Sequence, residues 1–192
     1  GLSPLVIIDG EGSGFHAGVW AGQPEQLHLL ARRPRQRHRD PARPGADEDA
    51  QGQPFVGRAG KLLDRMLKAA GLEDRVFITN TVFWRPPGNR TPTPQEQAVC
   101  APFVERAIAL VKPKMLLLAG GASAKAMLKR DEGILTMRGR WFEWVAEDQS
   151  MELPAMPTLH PAFLLRTPAQ KKKAWQDLLT LTERLDRPDR PH

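Results

Sequence analysis

The chain has 192 residues, of which 41% are hydrophobic and 26% are charged, as expected for one compact domain of a soluble globular protein. No apolar run reaches the roughly 20 residues that a membrane-spanning helix needs, and the beginning lacks the basic-then-apolar pattern of a signal peptide, so we expect a cytoplasmic protein. The single cysteine, Cys100, excludes a disulfide framework, and one thiol cannot by itself hold zinc or an iron–sulfur cluster.

The formal net charge of +6 lies almost entirely in one stretch, residues 31–43, which holds six arginines and one aspartate. The rest of the chain has 22 basic and 21 acidic side chains, so the basic excess does not extend over the domain. An argument for nucleic-acid binding therefore has to come from local motifs.

The first 43 residues differ from the rest of the chain. Leu5–Ile8 is a candidate strand, but the residues after it have weak periodicity and end in a mixture of Arg, Pro and His without an apolar face. One interpretation is a disordered basic arm. The other is a reading-frame error, because codons for residues 37–41 exist that, shifted by one base, spell Asp-Ile-Val-Ile-Leu, a typical buried strand. We therefore expect an aberrant or disordered segment, a folded domain and a disordered tail, at residues 1–43, 44–185 and 186–192.

After this segment, helix-like and strand-like stretches alternate. The first helix is predicted over residues 60–70, with four apolar residues on one face and Gly71 as its terminating residue. A short buried strand follows at residues 75–80. Thr93–Glu96 has the form of a capping box with proline at the first helical position, which predicts a helix from there to about Val111.

The second half continues the alternation, with a strand at 114–119, a helix around 122–128, a short hairpin at 133–145, a strand at 155–158 and a closing helix at 168–185. This order predicts an α/β fold in which helices cover a parallel sheet. Three strands end where polar residues or glycines cluster, and open sheets of this kind bind ligands beyond the carboxyl ends of their strands. We expect the functional site at that edge.

Four motifs from separate parts of the chain together resemble family 4 uracil-DNA glycosylases, the bacterial type associated with an iron–sulfur cluster; they are PGADEDAQGQPFVGRAG at 44–60, ITN at 78–80, RPPGNRTPTP at 85–94 and HPAFLLR at 160–166. The resemblance covers roughly residues 44–185. It implies a three-layer α/β/α sandwich around a central, mostly parallel four-stranded sheet. It also implies an enzyme that binds uracil-containing DNA and starts base excision repair by hydrolysing the N-glycosidic bond of a flipped-out uracil with water. We expect a monomer that does not bind a membrane.

The resemblance assigns the uracil pocket to four residues, Gly45, Phe55, Asn80 and His160, and catalysis to Asn80 and His160. The ring of Phe55 suits the flat face of a base. Uracil presents a donor at N3 and an acceptor at O4, which the amide of Asn80 can pair with, whereas cytosine reverses this pattern. His160 would donate a hydrogen bond to O2 of uracil, where negative charge develops as the bond breaks.

The DNA-contacting residues implied by the resemblance lie in three places. The stiff RPPGNR loop would meet the phosphate backbone through Arg85, Asn89 and Arg90. Arg58, in the first motif, is a similar candidate. In the last motif, Leu164 or Leu165 would fill the space left by the flipped base and Arg166 would meet a phosphate. Alternatively, these leucines begin a buried helix.

The chain departs from the family pattern in two places. The family's first motif carries a glutamate near the sugar, and Ala42 stands in that position here, while Asp47, Glu48 and Asp49 follow in an acidic loop. The family's cluster takes four cysteines; Cys100 matches the last, Trp84 stands in place of the third, and the first pair is missing. We therefore expect no cofactor.

Two other functions fit parts of the pattern. A non-catalytic relic that lacks the carboxylate would still bind uracil-containing DNA through Phe55, Asn80 and His160. A nucleotide-binding or nucleoside-hydrolysing α/β enzyme would need a phosphate-cradling glycine loop after a strand, and neither the glycines at 10–14 nor Gly120-Gly121 have that spacing.

Overall fold

The computed structural model of the chain describes residues 5–9, 57–73, 75–82 and 93–186. In these ranges five strands form one sheet in the order β2-β1-β3-β5-β4; they are β1 Leu5–Asp9, β2 Val76–Asn80, β3 Met115–Ala119, β4 Phe142–Val145 and β5 Glu152–Thr158. The first four in the order are parallel, and β4 is antiparallel at one edge. The predicted α/β class and mostly parallel sheet are confirmed, with five strands in place of four.

Helices cover both faces of the sheet, which confirms the three predicted layers. The α-helices are α1 Arg58–Ala69, α2 Pro94–Val111, α3 Gly121–Leu128, α4 Ile134–Met137, α5 Pro161–Arg166 and α6 Lys171–Leu185, with a 3₁₀ turn at Pro168–Gln170. On one face α1 and α6 pack against Leu117 and Met156. On the other face α2, α3 and α4 pack against Leu116 and Leu118. None of the helices in the described ranges is long and apolar enough to cross a membrane.

The sequence of β3 shows why this strand lies in the middle of the molecule. Its five residues are all buried, and Leu116 and Leu118 have no exposed surface. A strand covered on both faces is a continuous apolar run, because each of its alternating sides meets a helix layer. Each fully buried leucine contributes roughly 2 kcal/mol of transfer free energy.

Two helix ends follow their local sequence signals. At the end of α1, Gly71 has φ +69°, its N–H donates to Lys68 O at 3.1 Å, and Leu72 N–H donates to Leu67 O at 2.8 Å, which is the Schellman arrangement. At the start of α2, Thr93 Oγ1 accepts from Glu96 N–H at 3.2 Å and Glu96 Oε2 accepts from Thr93 N–H at 2.8 Å. The predicted terminating glycine and capping box are both confirmed.

The hairpin predicted within residues 133–145 is wrong. Residues 134–137 form a short helix instead, and β4 pairs with β5 in the register Val145↔Glu152. Met137 is fully buried, so this short helix contributes to the core. The chain turns back between β4 and β5 at residues 146–151, where Ala146 N–H donates to Met151 O at 2.9 Å.

The strand β1 comes from the N-terminal segment. Leu5–Asp9 lies between β2 and β3, with Leu5 opposite both Val76 and Met115, so the prediction of a strand at Leu5–Ile8 is confirmed. The expected domain limits of 44–185 leave out this strand, which belongs to the same sheet. Residues 37–41, where a shifted frame would spell a strand, lie outside the described residues.

Candidate active site

One row of residues crosses the carboxyl edge of the sheet. Asp9 is in register with Asn80 on one side and Ala119 on the other, and Ala119 is in register with Thr158. Neighbouring strands lie about 4.8 Å apart, so the ends of four parallel strands share one edge within roughly 15 Å. This is the edge at which open α/β sheets bind ligands.

Asn80 lies at one side of this row, at the end of β2. The strand begins with the β-branched and aromatic residues that favour extended backbone. Its last two residues and the residue after it are buried and polar; Thr79, Asn80 and Thr81 are 3%, 3% and 4% exposed. The hydroxyl of Thr81 has no hydrogen-bond partner in the described part of the chain. Buried polar groups normally have hydrogen-bond partners. The hydroxyl of Thr81 is therefore available to hydrogen-bond a ligand at this strand end.

His160 follows β5 and caps α5. Its Nδ1 accepts a hydrogen bond from Ala162 N–H at 3.1 Å, and Pro161 takes the first helical position. The side chain is only 6% exposed. Because Nδ1 is the acceptor of this bond, a neutral imidazole carries its proton on Nε2. The fold therefore presents His160 as a hydrogen-bond donor through Nε2.

Gly120 packs directly against His160. It has φ +90°, and a Cβ added there would lie 3.0 Å from the Cβ of His160. Its N–H donates to Thr158 O at 2.9 Å, which ties the end of β3 to the end of β5. A side chain at position 120 would both strain the backbone and push against the imidazole.

A buried ion pair lies behind the end of β5. Thr158 Oγ1 donates to Asp177 Oδ2 at 2.7 Å, and Arg138 donates through Nε to the same oxygen at 3.1 Å and through Nη2 to Oδ1. Asp177 is 1% exposed. Burial raises the pKa of Asp177, while the hydrogen bond from Thr158 and the guanidinium of Arg138 act against this rise. The carboxylate oxygens are thus both engaged.

Sequence reasoning missed these contacts because the partners are far apart in the chain: Arg138 lies 39 residues from Asp177 and Thr158 lies 19 residues from it. One local signal existed. Asp177 lies on the apolar face of α6, beside Ala174, Leu178 and Leu181, and a carboxylate on a buried helix face normally has a partner.

The two leucines expected at the DNA differ in burial. Leu164 has no exposed surface and packs in a cluster with Leu62, Leu159 and Ala174, because residues 161–166 form the buried helix that was the alternative. Leu165 is half-buried and Arg166 is exposed. Leu165 packs against the edge of the same cluster, so it is the more accessible of the two leucines.

Arg58 is exposed at the start of α1. Helix α1 packs against α5 through Leu62 and Leu164, so Arg58 and Arg166 belong to adjoining helices. Ala42, the acidic residues at 47–49 and Trp84 lie outside the described residues, as do the other predicted site residues; these are Gly45, Phe55, Arg85, Asn89 and Arg90. Their roles stay predictions.

The fold and the site define a class of α/β protein that binds its ligand at the strand ends, and comparison with known proteins identifies the family. The family model described as the uracil DNA glycosylase superfamily matches residues 42–179. The type-4 uracil-DNA glycosylase of Sulfurisphaera tokodaii is 39% identical over 146 residues, which are 73% of this chain and 66% of the relative. The type-4 enzyme of Thermotoga maritima is 38% identical over 125 residues, 64% of this chain and 62% of the relative.

A third relative, the type-4 uracil-DNA glycosylase of Pyrobaculum aerophilum, is 39% identical over 140 residues, 70% of each chain. The chain belongs to the uracil DNA glycosylase superfamily, in its type-4 branch. It spans 66% and 62% of the length of the first two relatives.

The iron–sulfur cluster of this branch does not fit the residues of this chain. Such a cluster is held by four thiolates, and the whole sequence contains one cysteine. Cys100 is fully buried in α2, in a cluster with Val82 and Val104. Within the described ranges, no group of three or more His, Cys, Asp or Glu side chains could hold a metal ion.

Proposed function

We propose that this chain is a uracil-DNA glycosylase, which hydrolyses the N-glycosidic bond of a flipped-out uracil in DNA. The observation that carries the proposal is the presentation of His160, whose Nδ1 accepts a backbone N–H and whose Nε2 is therefore a donor at the carboxyl edge of the sheet. Asn80 ends a neighbouring strand of the same edge. The names of the relatives support the same activity.

Asn80 would select the base. Its side-chain amide offers an acceptor and a donor in one plane, which matches N3–H and O4 of uracil and opposes the reversed pattern of cytosine. Because Asn80 is only 3% exposed, a wrong base would leave buried polar groups unmatched. Such mismatches discriminate by about 10⁴- to 10⁵-fold in sites built for hydrogen bonding.

His160 would stabilise the leaving group. Breaking the N-glycosidic bond leaves negative charge on uracil, so a hydrogen bond from Nε2 to O2 becomes stronger as the reaction proceeds. The bond from Ala162 N–H keeps the donor in place before the charge develops, which is what makes such a group effective. Removing one donor of this type typically costs about 10²- to 10³-fold in kcat.

The proposed reaction also needs a carboxylate to activate the water and to balance positive charge on the sugar. Of the four residues in the row, Asp9 carries a carboxyl group, and its backbone lies between Asn80 and Ala119. We assign it the role of accepting a proton from the attacking water and balancing positive charge on the sugar, in place of the acidic residue missing at Ala42. The local signal was the strand LVIID, which ends in an acid before a glycine.

The assignment of Asp9 has a direct test in Asp9→Asn, which keeps the shape and removes the base. Loss of a general base commonly costs about 10²- to 10⁴-fold, so we expect a matching loss in the rate of uracil excision. Asp131→Asn, at an exposed position before α4, is the control. Equal rates for the two variants would show that another group activates the water.

The remaining features follow from the same proposal. DNA would bind across the strand ends, with Arg58 and Arg166 at the backbone and Leu165 beside the flipped base. We propose a colourless monomer without a cluster, acting on uracil-containing DNA in the cytoplasm. Iron analysis and light scattering of the purified protein test these points.

The alternative, a non-catalytic relic, makes a different prediction on the same oligonucleotide. A glycosylase releases free uracil, and Asn80→Ala abolishes the release. A relic retards the oligonucleotide in a gel-shift assay without releasing uracil. Release that persists in Asn80→Ala would overturn the pocket assignment.

A further inference from the structure

We propose that Asp177 is a positioning residue for His160, acting through the hydroxyl of Thr158. The proposal rests on the proposed function, in which His160 donates to the leaving uracil. Thr158 is the last residue of β5 and lies two residues before His160. Its hydroxyl donates to Asp177 at 2.7 Å, so α6 holds the strand end from which the imidazole projects.

Three contacts fix this strand end from different sides. The side chain of Thr158 is held by Asp177, and its carbonyl accepts from Gly120 N–H at 2.9 Å. The next residue, Leu159, is buried against Ala174, one turn before Asp177 on the same helix. A change in the Asp177 contact would therefore shift the backbone immediately before His160.

The carboxylate of Asp177 is itself held in place by the turn after α4. Arg138 donates to both of its oxygens, and its Nη2 also donates to Lys173 O at 2.8 Å. Gly139, with φ +70°, leaves room for the carboxylate, since an added Cβ would lie 2.6 Å from Asp177 Oδ1. The N–H of Gly139 donates to Pro157 O at 2.9 Å, which joins the same turn to β5.

Stability alone is a weak reason for this arrangement. The desolvation cost of a buried ion pair often offsets its Coulombic gain, and apolar replacements of similar volume can be as stable. What an ion pair with a third hydrogen bond supplies is fixed geometry, because a guanidinium and a carboxylate meet in one plane. A donor displaced by about 1 Å from its acceptor can cost about 100-fold in rate.

The central test is Thr158→Val, which keeps the shape of the side chain and removes its hydroxyl. We expect a fall of about 10- to 100-fold in the single-turnover rate of uracil excision at saturating protein, with unchanged affinity for an oligonucleotide that contains an uncleavable 2′-fluorinated deoxyuridine. Thr158→Ser, which keeps the hydroxyl, should restore most of the rate. Thr180→Val, on the exposed side of α6, is the matched control and should behave as the unaltered protein.

A second readout follows the imidazole directly. NMR of protein with isotope-labelled histidine, with the His160 signals assigned through His160→Gln, should show shifted ring-nitrogen signals in Thr158→Val and in Asp177→Asn. These signals should stay in place in Thr158→Ser and Thr180→Val. Because Asp177→Asn perturbs the same contact from the other side, it carries the test if Thr158→Val does not fold.

The outcomes separate the two proposals. Unchanged His160 signals in folded Thr158→Val or Asp177→Asn would overturn the positioning role, as would an unchanged excision rate in an active protein. If the unaltered chain releases no uracil, the proposed function fails, while the His160 signals still decide whether Asp177 positions the imidazole.

Discussion

Substituting Gly120 by alanine tests whether the packing at the strand ends controls His160. Gly120 has φ +90° and ψ 169°, a region that is essentially open to glycine alone and costs about 1–3 kcal/mol for other residues. The added Cβ would also lie 3.0 Å from the Cβ of His160, which is closer than ordinary van der Waals contact, so His160 would have to shift by a few tenths of an ångström. We expect a loss of about 2 kcal/mol in the free energy of unfolding and a fall of up to about 100-fold in the excision rate.

The neighbouring Gly121 provides a matched control. It lies in the first turn of α3, and a Cβ there would meet Ile134 at an ordinary 3.6 Å. Gly121→Ala should therefore keep the excision rate and gain up to about 1 kcal/mol from the lower entropy of the unfolded chain. Urea denaturation and single-turnover excision measure both quantities. Gly120→Ala with the rate of Gly121→Ala would refute the role assigned to the Gly120 contact.

Three further predictions concern stability, pH and colour. Leu164→Ala should lower the free energy of unfolding by about 2–5 kcal/mol, whereas Leu165→Ala should mainly weaken binding to uracil-containing DNA; the opposite pattern in denaturation and gel-shift assays would place Leu164 at the DNA. Because burial raises the pKa of Asp177 above its value in the unfolded chain, its contribution to stability is present below about pH 3.9 and is lost as the pH rises through the raised pKa. Urea denaturation across this pH range should show the decrease in the free energy of unfolding. If the same decrease persists in Asp177→Asn, another group causes it. Purified protein should be colourless, and stoichiometric iron would contradict the single-cysteine argument.

The sequence predicted those parts of the fold that depend on neighbouring residues. The end of α1 at Gly71 and the start of α2 at Thr93 follow from contacts within four or five residues, and the buried run of β3 follows from its composition. The position of Leu5–Asp9 in the middle of the sheet did not follow, because strand pairing joins it to residues about 70 and 110 positions away.

The candidate site shows the same division. His160 and Asn80 were predicted from their motifs, and the structure places both at the carboxyl edge of the sheet. The Nδ1 contact of His160 is local, because it joins His160 to Ala162 two residues on. The pair of Arg138 with Asp177 joins residues 39 positions apart, and no spacing in the sequence encodes it. Leu164 was ambiguous for a related reason, since an apolar residue after a strand suits both a buried helix and an exposed loop.

The most direct test of the account is uracil release from a single-stranded oligonucleotide by the purified chain. It is run beside Asn80→Ala and beside Ala42→Glu, which restores the glutamate of the family's first motif. The account predicts free uracil from the unaltered chain and none from Asn80→Ala. A folded chain that releases no uracil, while the restored version does, would contradict the account. It would show that this chain lacks the activity and that Asp9 does not replace the family's glutamate.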